Sequence, residues 1–294
     1  MEYVAFVKEV EKEVRSLVEE ERQEGEAAVQ VRVVHLTGYN GMSSDAVTVM
    51  REGRNSSPMA YLQEYYDRVP VGETPQSAAR KILSFIRENE LSGQVDTSFL
   101  SDYENARKHL VCRLLNFAMN EDLLIDVPHR RFLDLAVVYC LQLSDGGREY
   151  ASVLIRKKYM DLWHRSEEQL WEEAWRNMQE LKPCEIIRME DLVTELTQHA
   201  EESPLYVLTG KDRCYGAVWI TQLQELERAA DILGDRFYIL PSSIHEVILL
   251  PASFHMKSEE LREMVRSING SVVSPEDVLS DSVYYYDGKE LSIA

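Results

Sequence analysis

The spacing of apolar residues predicts a helix, a β-hairpin and a second helix in the N-terminal third of the chain. Over residues 3–18, apolar side chains recur every three or four positions with Lys and Glu between them, as on an amphipathic helix. Over residues 29–33, Val alternates with polar residues, which is typical of a strand with one buried face. Asn40-Gly41 favours a tight turn into a second strand at 46–50. Thr74-Pro75 then has the residue types of a helix start.

The rest of the chain combines short apolar runs with further amphipathic segments. The run at 132–141 is apolar almost throughout, as in a strand buried on both faces. Ser166 and Gln169 have the spacing of a capping box, and Asp287-Gly288 marks a hairpin turn. The other predicted strands lie at 109–117, 123–127, 150–155, 205–209, 237–240, 246–250, 283–286 and 291–293. The other predicted helices lie at 59–66, 189–199, 216–233 and 258–269.

Strands therefore come in clusters separated by helices, without the regular alternation of βαβ units. This order predicts an α+β fold with largely antiparallel sheets packed with helices. A polar stretch at 91–98 suggests a linker. It would join an N-terminal helix-hairpin-helix subdomain at 1–95 to a C-terminal α+β domain at 99–294, and one compact unit is the alternative.

Composition and charge narrow the classes of partner. The 294 residues are 45% hydrophobic and 28% charged, which excludes a mainly disordered or collagen-like chain. The formal charge of -19 repels phosphate backbones and anionic membranes, so we expect no nucleic-acid binding by direct phosphate contact and no membrane binding. The N-terminus lacks the pattern of a signal peptide, and the apolar run at 135–141 is too short to cross a bilayer. We therefore expect a cytoplasmic protein, whose oligomeric state the sequence leaves open.

The cysteines are far apart and form no C-x-x-C pair, which argues against a zinc site and against a disulfide-rich secreted module. Each stands among apolar residues, as expected of small buried side chains, and none has a visible context that would stabilise a thiolate. We expect neither a metal nor a cofactor. The four cysteines are Cys112, Cys140, Cys184 and Cys214.

A segment between two predicted strands is the first candidate for chemistry. Its candidate catalytic residues are Ser242, Ser243, His245 and Glu246, with His129 from elsewhere in the chain. A Ser hydroxyl with a His base is the basis of hydrolase centres, but triad members normally come from separate elements, and no G-x-S-x-G elbow is present. The alternative is a tight turn in which these polar groups satisfy the backbone.

A second candidate is the pair Arg130 and Arg131, which follows His129. Two guanidinium groups could bind a phosphate or carboxylate ligand. The alternative is a polar hairpin tip at which the arginines pair with Asp126 and Asp134. A third segment, 209–216, joins a strand to a helix, a geometry that can hold phosphate at a helix N-terminus, but it lacks the Walker pattern. Its glycine spacing is better explained by a loop entering a helix that is closely packed on the sheet.

These segments resemble a bacterial family catalogued as domain of unknown function 5688. The resemblance implies one architecture over nearly the whole chain, with the Pro-Ser-Ser-x-His-Glu and Pro-His segments as hallmarks, and it agrees with a cytosolic protein of anaerobic gut bacteria. It implies no activity, cofactor or catalytic residue. The segments that carry it are Ser57-Pro58 with 61–66, Val127-Pro128-His129-Arg130-Arg131 with 132–136, 206–209, Tyr238-Ile239-Leu240-Pro241-Ser242-Ser243-Ile244-His245-Glu246-Val247-Ile248, and 279–284.

Three functions follow from the sequence as hypotheses. The first is a non-enzymatic interaction or regulatory protein that binds another protein through its acidic surface and aromatic helix faces. The second is a hydrolase with a Ser/His/Glu centre around Ser243 and His245, in which His129 and His245 would lie within hydrogen-bond reach of each other or of a shared ligand. The third is an acidic DNA mimic, which requires carboxylates at phosphate-like spacing on one surface.

Overall fold

The computed structural model of the protein describes residues 1–22, 29–90, 100–143, 151–197, 203–241 and 243–294. The predicted linker at 91–98 and the candidate Ser242 lie outside these residues. By its internal packing the chain divides into two compact units, residues 1–97 (unit 1) and 98–294 (unit 2). Of the residues that the structure describes, 46% are helical and 27% lie in strands, which form three antiparallel sheets, so the predicted α+β class is confirmed.

The helices of the described chain are α1 (Tyr3–Glu21), α2 (Leu62–Tyr66), α3 (Pro75–Glu88), α4 (Tyr103–Ala106), α5 (Glu121–Leu124), α6 (Lys157–Trp163), α7 (Glu167–Leu181), α8 (Met189–Thr197), α9 (Leu223–Leu233) and α10 (Ser258–Ser271). The strands are β1 (Val29–Thr37), β2 (Ser43–Arg51), β3 (Met59–Tyr61), β4 (Leu110–Asn116), β5 (His129–Phe132), β6 (Leu135–Leu143), β7 (Ala151–Leu154), β8 (Cys184–Arg188), β9 (Tyr206–Gly210), β10 (Phe237–Leu240), β11 (Glu246–Pro251), β12 (Tyr284–Tyr286) and β13 (Leu291–Ile293).

Unit 1 is a three-stranded sheet covered by helices. The strand order is β1-β2-β3, and the β1–β2 hairpin turns through Asn40 and Gly41, which both adopt positive φ as predicted. Thr74 caps α3 by accepting a hydrogen bond from the Ser77 N–H. The apolar face of α1, with Phe6 at its centre, packs with α3 and the valines of the hairpin into one core.

Unit 2 contains two sheets that share a large core. Its six-stranded sheet has the order β13-β12-β10-β11-β9-β8, in which every neighbour is antiparallel. Its four-stranded sheet places β6 between β4 on one side and β5 and β7 on the other. The predicted capping box at Ser166 and Gln169 opens α7 and is confirmed, and the apolar face of α7 packs on β4. Trp175 of α7 and Trp219 stack edge to face inside this core.

A carboxylate network ties the β5–β6 turn to the segment before β12. Asp134 Oδ2 accepts hydrogen bonds from the hydroxyls of Ser280 at 2.6 Å and Ser282 at 2.9 Å. Its Oδ1 accepts from the Tyr284 hydroxyl at 2.6 Å. Burial, and then the negative charge of Asp134, raise the pKa of Tyr284. The phenol therefore stays protonated and acts as a donor.

Five predicted elements differ from the observed ones. Residues 123–127 are not a strand: α5 ends at Leu124. The run at 132–141 is interrupted by a turn in which Leu133 adopts positive φ, so that it contributes to both β5 and β6. The predicted helix at 59–66 begins with β3, and the one at 216–233 is a 3-10 helix to Thr221 followed by α9. Helix α10 continues through Gly270, where the sequence predicted its end.

The edge strand β8 is an element that the sequence pattern did not predict. Among the residues that the structure describes, no helix is both long and apolar enough to span a membrane.

Candidate functional site

The segment between β10 and β11 is a tight connection whose backbone is fastened by side chains. The hydroxyl oxygen of Ser243 accepts a hydrogen bond from the backbone N–H of His245 at 3.1 Å. Ser243 is buried and forms a single β-bridge with Val278. This is the turn-stabilising arrangement that the sequence offered as the alternative to a nucleophile.

The backbone carbonyl of His245 is held by two donors from β9 and the loop that follows it. The Thr209 hydroxyl donates to this carbonyl at 3.0 Å, and the Gly216 N–H donates at 2.9 Å. The pairing of Glu246 with Thr209 across β9 and β11 brings the two segments together. Because the peptide groups on both sides of His245 are fixed, its ring occupies a defined position.

The imidazole of His245 lies near a carboxylate and a thiol. Its Nε2 is 3.6 Å from Oδ1 of Asp277, and its Nδ1 is 3.4 Å from the backbone nitrogen of Tyr215. Hydrogen bonding to Asp277 and then to the Cys214 side chain raises the pKa of His245 to about 9, against the opposing effect of burial. The ring is stacked on that of Tyr215 and is 32% exposed, so solutes can reach it.

The loop at 210–216 has a shape that few sequences could adopt. Arg213 and Tyr215 both have positive φ, which is costly for residues other than Gly. A Cβ at Gly216 would overlap the backbone of Thr209 and Gly210, so this position requires glycine. The loop is therefore packed closely against the end of β9.

A buried ion pair between Lys182 and Asp212 stabilises the same loop. Lys182 is only 3% exposed; its ammonium pairs with the Asp212 carboxylate and donates to the carbonyl of Cys214 at 3.3 Å. The other oxygen of Asp212 accepts from the Cys214 N–H at 3.2 Å. Cys214 is thus held through its own backbone on both sides, although it is not part of a strand or helix.

The cysteines differ in their surroundings. Cys112, Cys140 and Cys184 are buried as predicted, and burial is the main cause that raises the pKa of each thiol, to about 11 for Cys140. Cys214 is half-buried and lies beside an imidazole. The expectation that all four are buried apolar side chains is therefore wrong for Cys214.

Glu246 and His129 are the other candidate acid and base, and their surroundings differ from those of His245. Burial raises the pKa of the Glu246 carboxyl, while the charges of His245 and Arg213 oppose the shift. His129 places its Nδ1 2.9 Å from the carbonyl of Val127 and its ring next to Phe117. It lines a separate cavity of about 460 Å³ with Val127, Pro128, Lys157, Met160, Asp161 and Glu167.

The two candidate ligand-binding arginines are engaged within the protein. Arg130 pairs with Glu167 at 3.1 Å and with Glu168, and its guanidinium lies 4.2 Å from the centre of the Trp171 ring. Arg131 donates to the Leu133 carbonyl and covers a phenylalanine ring.

The predicted pairing of these arginines with Asp126 and Asp134 is wrong. Asp126 pairs with Arg156 at 3.1 Å, and Asp134 belongs to the hydroxyl network described above. The partners of both aspartates therefore lie far away in the sequence. Over the described ranges, no group of three or more His, Cys, Asp or Glu side chains is arranged to hold a metal ion.

A comparison with known families confirms the family resemblance seen in the sequence. A model described as a family of unknown function (DUF5688) matches residues 3–288. The chain belongs to this family. No curated protein and no solved structure matches it. In this DUF5688 protein, His245 belongs to the segment Pro-Ser-Ser-x-His-Glu, and its ring lies near the Cys214 thiol.

Sequence reasoning identified His245 but not the two residues that flank its ring. Cys214 is 31 positions earlier in the chain, and Asp277 is 32 positions later. The only sequence signal was that both 210–216 and 241–246 adjoin predicted strands. Which strands are neighbours was not predictable from local pattern, because β9 pairs with β11 across an intervening helix and strand.

Proposed function

We propose that this DUF5688 protein is a hydrolase whose nucleophile is the thiol of Cys214. The observation that carries the proposal is the His245 imidazole near the Cys214 thiol, with its Nε2 3.6 Å from the Asp277 carboxylate. A nucleophile, a base and a group that orients the base are the three parts of a nucleophilic hydrolase centre. In this arrangement the sulfur of Cys214 attacks as the thiolate partner of the His245 imidazolium, and Asp277 holds the ring and stabilises its charge.

The reaction proceeds through a thioester. The thiolate sulfur of Cys214, whose proton His245 holds as imidazolium, forms a bond to the carbonyl carbon of an acyl substrate. The bond from that carbon to the leaving group breaks, and the imidazolium protonates the leaving group. A water molecule then gives a proton to His245 and attacks the thioester. The C–S bond breaks, a carboxylic acid leaves, and the thiolate–imidazolium pair is restored.

The geometry favours Cys214 over the serine considered from the sequence. The Ser243 oxygen already accepts the backbone N–H of His245, and Ser243 is buried. Cys214 is half-buried, on a loop whose positive φ angles at Arg213 and Tyr215 store strain. Strained residues next to a nucleophile with a paired base are typical of functional sites.

The proposal is tested by acylation of the full-length protein with an activated acyl donor, a p-nitrophenyl ester, followed by intact mass analysis. We expect one acyl group on Cys214, release of nitrophenolate, and loss of both in Cys214→Ser. Cys184→Ser is the matched control, because it removes a buried thiol of the same unit, and it should react like the unchanged protein. A folded protein that is not acylated, or acylation that persists in Cys214→Ser, would overturn the proposal.

A protein-interaction or regulatory role, which the sequence favoured, is the second candidate. The formal charge of -19 supports it, since an acidic surface attracts a basic partner. We expect a native pull-down to recover a partner whose yield falls as salt is added, because salt screens attraction between exposed charges. Recovery of no partner above background would contradict this role.

A further inference from the structure

Strand β1 forms an open edge of the sheet in unit 1. All nine of its residues pair with β2, from Val29 opposite Arg51 to Thr37 opposite Ser43. Among the residues that the structure describes, β2 is its only strand neighbour. Nine residues correspond to a strand about 30 Å long, which is longer than most edge strands.

The alternation of the hairpin shows which backbone groups face outward. The Gly38 N–H donates to the Met42 carbonyl at 2.7 Å, so this pair is hydrogen-bonded across the hairpin. Hydrogen-bonded pairs alternate along an antiparallel ladder, and therefore residues 30, 32, 34 and 36 bond to β2. The N–H and C=O groups of residues 29, 31, 33, 35 and 37 point away from β2.

Within the part of the chain that the structure describes, β1 has few of the features that prevent strand addition at natural edges. Natural edge strands are blunted by Pro, Lys, bulges or short length. Strand β1 contains neither Pro nor Lys, its register with β2 runs without interruption, and Arg32 is its only residue that is charged at every physiological pH. An edge of this kind is suited to recruit another strand.

We infer that β1 pairs with β1 of a second copy of the chain, antiparallel and centred on Val33. In this register every outward-facing residue meets another outward-facing residue: Val33 meets Val33, and Val31 meets His35. Arg32 meets Val34, so the cation does not face itself across the seam.

The side chains fit the same register. Val29, Val31 and Val33 pack on the core of unit 1, and pairing at Val33 would bring the apolar rows of the two copies together at that residue. The two three-stranded sheets would become one sheet of six strands. The strand's own sequence therefore supplies both the complementary hydrogen bonds and the complementary surface that a two-fold interface requires.

The inference is tested by sedimentation of the full chain at concentrations up to about 100 µM. We expect a species of twice the chain mass of 34.0 kDa. Val33→Pro should be monomeric, because proline removes an outward N–H and puts its ring in the seam while leaving every bond to β2 intact. Val33→Thr is the matched control: it keeps the N–H and the β-branched shape, and should remain dimeric.

Hydrogen exchange provides a measurement that does not depend on how well the proline variant folds. In the unchanged protein, the amides of Val31, Val33 and His35 should exchange more slowly as concentration rises, while those of Val34 and Leu36, already bonded to β2, should not change. A monomer at every concentration, a dimer that persists in folded Val33→Pro, or outward amides with concentration-independent exchange would each overturn the inference.

Discussion

His245 combines a structural and a chemical role at one position. Its backbone is bonded to Ser243, Thr209 and Gly216, and its ring contacts Asp277 and Cys214. The turn predicted from the sequence and the thiol centre are therefore compatible: the turn fixes the backbone that aims the ring. A substitution that removes only the ring charge separates the two roles.

His245→Gln should make the stability of unit 2 less dependent on pH. The pKa of about 9 in the folded protein lies above the usual value of 6.5. The protonated ring therefore stabilises the fold fully below pH 6.5, and the contribution disappears as pH rises through 9. We expect the unchanged protein to exceed the variant by about 1–2 kcal/mol at pH 6, since the partly exposed ring is screened by solvent, and by little at pH 10.

Urea unfolding followed by tryptophan fluorescence measures this difference, because all four tryptophans lie in unit 2. A difference of the same size at pH 6 and pH 10 would contradict a charged imidazole.

At the scale of elements, the sequence predicted the helices, caps and turns that depend on neighbouring residues. The periodicity of α1, the cap of α3, the capping box of α7 and the turn between β12 and β13 depend on a few neighbouring residues, and all are observed. Strand β8 and the break between β5 and β6 depend on tertiary packing, which short windows do not contain.

The candidate site likewise combines a residue that the sequence identifies with contacts that depend on tertiary structure. His245 stands in a recognisable segment, whereas its contacts with Cys214 and Asp277 exist only once β9, β10 and β11 have paired. Polar residues at the ends of strands can be identified in a sequence, but the partner of each is set by sheet topology. For the candidate arginine pair, the sequence predicted partners that are nearby in the chain. In the structure, Arg130 pairs instead with Glu167 and Glu168 of α7.

Two glycines of unit 2 provide a matched test of the loop that positions Cys214. A Cβ at Gly216 would overlap backbone, so Gly216→Ala should destabilise unit 2 by about 3 kcal/mol or more. Gly270 lies in the last turn of α10 with open space around it, so Gly270→Ala should stabilise by up to about 1 kcal/mol. Urea unfolding compares the two, and equal effects would show that the loop does not pack as described.

At the scale of the whole molecule, each unit has a hydrophobic core of its own. The core of unit 1 is built from α1, α3 and the β1–β2 hairpin, and the larger core of unit 2 joins both of its sheets to α7. Every residue of the thiol centre belongs to unit 2. The fragment 98–294 should therefore contain all that the chemistry requires.

We expect this fragment to fold alone with a cooperative thermal transition, and Cys214 in it to be alkylated at the same rate as in the full chain within about a factor of two. Circular dichroism and mass spectrometry check the two outcomes. A folded fragment in which Cys214 reacts much more slowly would show that unit 1 contributes to the centre.

The central claim, that His245 activates Cys214, is tested most directly by the rate of iodoacetamide alkylation of each cysteine in the native full-length protein, resolved by peptide mass spectrometry. Cys214 should react at least about tenfold faster than the three buried cysteines, and His245→Gln should slow it about tenfold, because a neighbouring imidazolium stabilises the thiolate. An unchanged rate at Cys214 in folded His245→Gln would contradict the account.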